Sequence, residues 1–270
     1  MQINFNSLDA PVGVFDSGVG GLSVLQHIRE MMPHENLIYV ADSKYAPYGN
    51  QTPEFIQARS LKLAEFLINQ GVKAIVVACN TATAAAVAGL RERYPDLLIL
   101  GMEPAVKPAV AATKSGVIGV LATSGTLKSA QFAALLEHYG QGVEVVTQAC
   151  NGLVECVEKA ELKSASTLAL LKRYVDPLLA AKADTIVLGC THYPFVRVLI
   201  ESLVGSDVVL IDTGAAVAKH LRNCLEEKQL QNPSNDPGNA CFWSNSDAED
   251  AQEVMRALWG ADIQLKKLVV

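Results

Sequence analysis

Hydrophobic positions in this chain fall into two kinds of stretch that alternate. Val12–Phe15, Leu37–Ala41, Ala74–Ala78 and Leu97–Leu100 are short unbroken apolar runs bounded by polar turns. Such runs predict strands buried on both faces, as in a parallel sheet. Between them the spacing becomes helical. Leu25, Ile28 and Met32 recur within 22–32, Thr52-Pro53 supplies an N-cap and a first-turn proline for a helix reaching Gly71, and the alanine-rich stretch 82–94 follows. Gly101–Ala105 reads as a crossing point, and a helix to about Lys114 comes next.

The alternation then repeats. Strands are predicted from about 117, 143, 185 and 208, with helices over 127–139, 152–159 and 166–181, another opening at Pro194, and one over 215–228. The polar, turn-rich loop Gln231–Asn239 precedes a last strand, a helix near 247–258 and an extended tail. Gly13-Val14-Phe15-Asp16-Ser17 parallels Gly119-Val120-Leu121-Ala122-Thr123, and Ala74–Cys79 parallels Thr185–Cys190. This is the signature of a duplicated α/β unit. Alternating strands and helices imply right-handed crossovers. The predicted fold is therefore α/β, with two pseudo-symmetric, doubly wound parallel-sheet domains and a cleft between their carboxyl edges. The duplication ends near Ile211, so the expected boundaries are 1–100 plus 212–270 for the first domain and 101–211 for the second.

Composition narrows the class. Among 270 residues, 50% are hydrophobic and 19% charged, enough apolar content for a large core. The net charge of −6, with no Lys/Arg cluster, argues against nucleic acid as a partner. Met1–Pro11 has neither a basic nor an apolar signal-peptide region, and no apolar run approaches the ~20 residues of a membrane span. The expectation is a cytoplasmic protein. Cys150, Cys156, Cys224 and Cys241 read as packing thiols. Without Cys-x-x-Cys or His-x-x-x-His spacing, neither a metal site nor a disulfide framework is expected.

Cys79 and Cys190 differ from those four. Each follows an apolar strand and precedes a polar helix start, Asn80-Thr81 or Thr191-His192. Ligands of open α/β sheets bind at that edge. Backbone N–H groups at a helix start can hold a carboxylate and lower the pKa of a neighbouring thiol. Asp16-Ser-Gly-Val-Gly-Gly partly matches a dinucleotide fingerprint, with Asp42 where a ribose-binding acid would stand, but Ser23 occupies the third glycine position. The turn still suits an anionic substrate. His192, close to Cys190, reads as a proton-handling group or a cap. Asp16 reads as a helix cap or an acid. Glu155 and Glu158 share one short helix, and Tyr45, Tyr48 and Tyr193 can simply pack.

Asp-Ser-Gly-x-Gly-Gly (16–21), Ala-Pro-Tyr-Gly (46–49), Ala-Cys-Asn-Thr-Ala (78–82) and Gly-Cys-Thr-His-Tyr-Pro (189–194), in this order, together resemble the glutamate racemase family over nearly the whole chain. The resemblance implies two pseudo-symmetric α/β domains with the active site between them. It also implies an enzyme that supplies D-glutamate for peptidoglycan with no cofactor, neither pyridoxal phosphate nor metal. It makes Cys79 and Cys190 the two acid/base thiols, with Cys79 acting on D-glutamate and Cys190 on L-glutamate. Substrate contacts fall to Asp16, Ser17, Pro47, Tyr48, Gly49, Asn80, Thr81, Thr123, Thr191 and His192. Asp16 and His192 match auxiliary acid/base positions. A further glutamate follows a Cys-Pro phrase in the family. Here that phrase is Cys150-Asn151, and Glu158 is preferred to Glu155. The oligomeric state stays open, a homodimer included. Some relatives respond to a cell-wall precursor through an amino-terminal extension, which the short stretch before Val12 argues against. Three other readings compete: an aspartate racemase, a Cys190–His192 hydrolase or amidotransferase, and a non-catalytic binder of acidic ligands.

Overall fold

A computed structural model of the chain describes residues 5, 7–246 and 248–270. The first unit contains β1 (Val12–Asp16), α1 (Leu22–Met31), β2 (Leu37–Ala41), α2 (Pro53–Asn69), β3 (Ala74–Val77), α3 (Asn80–Arg93) and β4 (Leu98–Leu100). After α4 (Val106–Ala112) the pattern recurs as β5 (Val117–Ala122), α5 (Ser124–Leu127), α6 (Ala130–Tyr139), β6 (Glu144–Ala149), α7 (Leu153–Glu158), α8 (Ala165–Ala180), β7 (Thr185–Gly189), α9 (Arg197–Val204) and β8 (Val209–Ile211). The chain ends with α10 (Gly214–Glu227), β9 (Ala240–Ser244), α11 (Ala248–Trp259) and β10 (Leu265–Lys267).

Among the described residues these strands form two wholly parallel sheets, ordered β10-β9-β2-β1-β3-β4 and β6-β5-β7-β8. In each unit the second strand lies outside the first, and the third and fourth lie on its other side. The register repeats as well. Phe15 faces Val77 in one sheet, and Leu121 faces Leu188 in the other. The duplication read from the sequence is thus carried down to individual strand pairs.

Alternation along each strand explains why both sheet faces are covered. Val12, Val14, Tyr39, Ala74 and Val76 point into one buried cluster, and Phe15, Val40, Ile75 and Val77 into another. The first cluster continues through Leu121, Val157, Leu188 and Tyr193, so one apolar core joins the two units beneath the cleft. A third cluster, with Ile118, Val120, Phe132 and Val187, covers the far face of the second sheet. At the opposite, amino ends of the strands, the buried Lys73 ammonium reaches Glu35 at 2.6 Å and the Leu8 carbonyl at 2.6 Å. Removing either member of such a buried pair would cost about 3–5 kcal/mol.

Four expectations need correction. The helix after Cys79 starts at Asn80 rather than Ala82, because the Cys79 sulfur accepts the Ala82 N–H at 3.4 Å and so caps it. The single helix expected over 127–139 is two. Ser129 accepts the Phe132 N–H at 3.1 Å and starts α6 afresh. Pro194 opens no α-helix. Tyr193 and Phe195 bond back three residues, to Cys190 and His192, giving a tight 3-10 turn before α9. The tail is not merely extended: β10 pairs in parallel with β9. Asp247, the expected start of α11, lies outside the described residues. Among the described residues no helix is long and apolar enough to cross a membrane.

Candidate active site

In doubly wound sheets the ligand crevice lies outside the carboxyl ends of strands whose connections leave in opposite directions. Here those strands are β1 with β3, and β5 with β7. Their ends carry Asp16-Ser17, Cys79-Asn80-Thr81, Thr123 and Cys190-Thr191-His192. All but Asp16 line one cavity between the units, together with Pro47, Tyr48 and Gly49 from the loop after β2. The cavity holds about 10 Å³, close to the room one water molecule needs, so it must widen to admit an amino acid. Gly49, on its wall, packs closely on the second unit: a Cβ on Gly125 would lie 3.2 Å from the Gly49 Cα. Both thiols are almost fully covered, Cys79 at 6% exposure and Cys190 at 7%. Two larger clefts, about 580 and 640 Å³, touch neither cysteine.

The two thiols have different neighbours. Cys79 Sγ donates to Ser17 Oγ at 3.7 Å, and Ser17 Oγ donates to Asp16 Oδ1 at 3.1 Å. Asp16, fully buried behind the cavity wall, also accepts the Ser17 and Gly21 amides at 2.6 and 2.5 Å and the Thr191 hydroxyl at 3.0 Å. It therefore fixes the turn before α1 and ties that turn to the second unit. Burial pushes its carboxyl above the usual range, with His192 opposing the shift. Burial, reinforced by the Asp16 charge, pushes the Cys79 thiol well up. Cys79 is thus held as the neutral thiol.

Cys190 has an imidazole instead. Its Sγ lies 3.7 Å from His192 Nδ1, and His192 Nε2 lies 2.6 Å from Glu158 Oε1. Burial opposes charge on His192, but hydrogen bonds to Cys190 and Glu158 outweigh it and raise its pKa well above the ordinary value. The imidazole is thus poised to carry a proton beside the Cys190 sulfur. Of the two candidate acids on α7, Glu158 reaches His192, while Glu155 lines a small cavity beside Asn151 and Gly152. Gly18 and Gly20, read from sequence as turn-formers, make room for this group. A Cβ on Gly20 would lie 2.2 Å from His192 Nδ1, and one on Gly18 would lie 1.9 Å from Glu158 Oε1.

The remaining lining is polar and partly unsatisfied. Asn80 is 4% exposed, and neither its Oδ1 nor its Nδ2 has a partner. An amide buried in this way costs about 1–3 kcal/mol unless a ligand meets it. Thr81 and Thr123 share a hydrogen bond at 2.8 Å and both contact Thr126, a residue the sequence reading missed. Val154 was missed too, since nothing in its local pattern separates a cavity wall from core. Tyr48 lines the cavity, but its hydroxyl is engaged by Asp42. Asp42 is no ribose ligand: it is fully buried and bound to Arg59 at 2.6 and 2.9 Å. That pair holds the cavity-lining loop from behind.

Comparison with known proteins gives one consistent result. The family described as Asp/Glu/hydantoin racemase matches residues 13–221. A glutamate racemase of Ectopseudomonas mendocina is 56% identical over 96% of this chain and 98% of its own length. One of Pseudomonas syringae is 59% identical over 88% of this chain and 86% of its own. Among solved structures, a glutamate racemase isoform of Bacillus anthracis superposes with a TM-score of 0.86 at 32% identity, covering 97% of this chain and 98% of that one. The Escherichia coli glutamate racemase, solved with L-glutamate and the activator UDP-MurNAc-Ala, gives 0.84 at 32% identity, covering 97% and 99%. With matching strand order, register and strand-end residues already in place, these likenesses over nearly full length show that the chain belongs to the Asp/Glu/hydantoin racemase family and, within it, to the glutamate racemases.

Proposed function

We propose that this protein interconverts L- and D-glutamate by a two-base mechanism in which Cys79 and Cys190 face opposite sides of the α-carbon. The observation that carries this reading is two nearly covered thiols in one closed cavity, delivered by equivalent strand ends of duplicated units. Inverting a carbon centre requires proton removal on one face and delivery on the other. One base cannot do both without crossing the molecular plane. Two thiols suffice if one begins ionised and the other protonated, the arrangement that His192 beside Cys190 and Asp16–Ser17 beside Cys79 favour.

In the L-to-D direction, the Cys190 thiolate takes the α-proton of L-glutamate, and the Cys79 thiol gives its proton to the opposite face. The reverse direction begins from the opposite protonation pattern. His192 and the Ser17–Asp16 pair are placed to return each thiol to its starting state by passing a proton. Asn80 fits the substrate's own polarity: Nδ2 can donate to a carboxylate and Oδ1 can accept from the ammonium group. Amides at the start of α3, in a site emptied of water, stabilise charge developing at the α-carbon. The product would serve peptidoglycan synthesis, and the reducing cytoplasm suits free catalytic thiols. The sheet membership of β9 and β10 supports reading 1–100 with 212–270 as one domain and 101–211 as the other.

Dialysed protein incubated with L-glutamate in deuterated water tests the reading. Optical activity should decay with no added cofactor, and D-glutamate should carry deuterium at the α-carbon. Racemisation that returns only after pyridoxal phosphate is added would overturn the mechanism. Turnover of aspartate in preference to glutamate would overturn the substrate.

A further inference from the structure

Glu158 belongs to α7 of the second unit, yet two of its hydrogen-bond donors belong to the first. The Val19 amide donates to Oε1 at 2.7 Å, and the Ser43 hydroxyl donates to Oε2 at 3.1 Å. The remaining partner is His192 Nε2, at 2.6 Å. Glu158 is the last residue of its short helix, and 16% of its side chain is exposed. Nothing on its own element restrains the carboxylate. Ser43, in contrast, sits on a fixed turn. Its neighbour Asp42 is bound by Arg59 and accepts the Asn245 amide at 2.6 Å.

We propose that Ser43 is a positioning residue: with the Val19 amide it holds Glu158 against His192, so that contact between the two units sets the charge of the imidazole beside Cys190. The inference rests on the two-thiol reading for its catalytic meaning, but not for its geometry. A hydroxyl donating to Oε2 leaves Oε1 aimed at the imidazole. Without it, the carboxylate is free to turn toward water at the rim, and the imidazolium loses its nearest counter-charge. The other ionisable groups around His192 are Cys190, at the end of β7, and Asp16, at the end of β1, with Cys79 beyond Asp16 and Tyr39 held by the Gly18 carbonyl. None of these contacts Ser43, so its loss acts through Glu158 alone.

The test uses the full chain with Ser43→Ala, Ser43→Thr and Gly18→Ala. The alanine at 18 would press on the Glu158 carboxylate from the opposite side, where a Cβ would lie 1.9 Å from Oε1. His192 is followed by nitrogen NMR of labelled histidine and assigned by its absence in His192→Gln. In Ser43→Ala its titration midpoint should fall by about one pH unit, a tenfold change in its proton affinity. Gly18→Ala should move it the same way, and Ser43→Thr should leave it near the parent. The basic limb of the pH profile for racemisation should shift with it. Values of kcat/KM for the two enantiomers should fall together, because the enantiomers have equal free energy. A parental midpoint in Ser43→Ala, or Ser43→Thr behaving like Ser43→Ala, would overturn the proposal. If Ser43→Ala does not fold, Gly18→Ala decides it by the same midpoint. A parent chain that does not racemise glutamate would refute the functional reading, while the His192 titration would still decide this one.

Discussion

Asp16, Cys79 and His192 share one property: each binds its proton more tightly in the folded chain than in the unfolded one. For Asp16 the main cause is burial, and for Cys79 it is burial reinforced by Asp16. For His192 burial opposes the shift, and the bonds to Cys190 and Glu158 prevail. A group shifted upward contributes stability that is complete below its unfolded pKa and lost as pH rises through the folded one. The thermal midpoint should therefore fall as pH rises from 6.5, where unfolded histidine titrates, through the folded titration of His192, and fall again above 9 as Cys79 is forced to ionise. His192→Gln should remove the first fall and keep the second. A parent midpoint that climbs above pH 6.5 would contradict this assignment. Asn80 gives a second prediction at this scale. It lines the cavity with two unpartnered polar atoms, so on the proposed reading Asn80→Ala should lower kcat/KM by about tenfold to a hundredfold, the worth of one or two hydrogen bonds to charged groups. It should leave folding unharmed or slightly improved, since the buried amide has no partner to lose. Thermal unfolding beside steady-state kinetics separates the two effects.

At the scale of elements, much was legible because it is local. Apolar runs mark β1, β3, β5 and β7, and a polar helix start marks where each cysteine stands. Thr52 and Pro53 announce α2, and Thr52 does accept the Phe55 N–H. The break between α5 and α6 was missed because Ser129 reads equally well as a helix interior or a cap. Only the bond to Phe132 decides. Ser129→Ala should thus cost about 1 kcal/mol, the usual worth of a cap, measurable by denaturant titration. What local pattern could not show is the purpose of the glycine turn. Gly18 and Gly20 suit a tight turn, but the groups they admit, Glu158 and His192, are more than a hundred residues away in the chain. Gly20→Ala should therefore displace the imidazole and lower racemase activity sharply while leaving far-ultraviolet circular dichroism unchanged. Parental activity in that variant would show that the close approach has no consequence. Asp42 is a similar case. Its position suggested a ligand, and only its partner Arg59, on another element, reveals a structural anchor.

At the scale of the molecule, duplication organises the site. Two units with the same strand order and register present equivalent edges to each other, and a shared core holds them together beneath the site. Symmetry supplies a thiol on each side. The departures from symmetry, Asp16 and Ser17 on one side against His192 and Glu158 on the other, give the two thiols different neighbours. The most direct measurement separates the two faces. Cys79→Ser and Cys190→Ser should each abolish or severely reduce racemisation, since a serine hydroxyl is a far weaker acid than a thiol. Each variant keeps one thiol, and one-way proton removal is enough to eliminate a leaving group beyond the α-carbon. Both enantiomers of such a glutamate analogue are given to both variants, and product release is followed. Cys79→Ser should eliminate from the L analogue alone, and Cys190→Ser from the D analogue alone. If both variants favour the same enantiomer, or if either racemises glutamate like the parent, the thiols do not stand on opposite faces of the substrate.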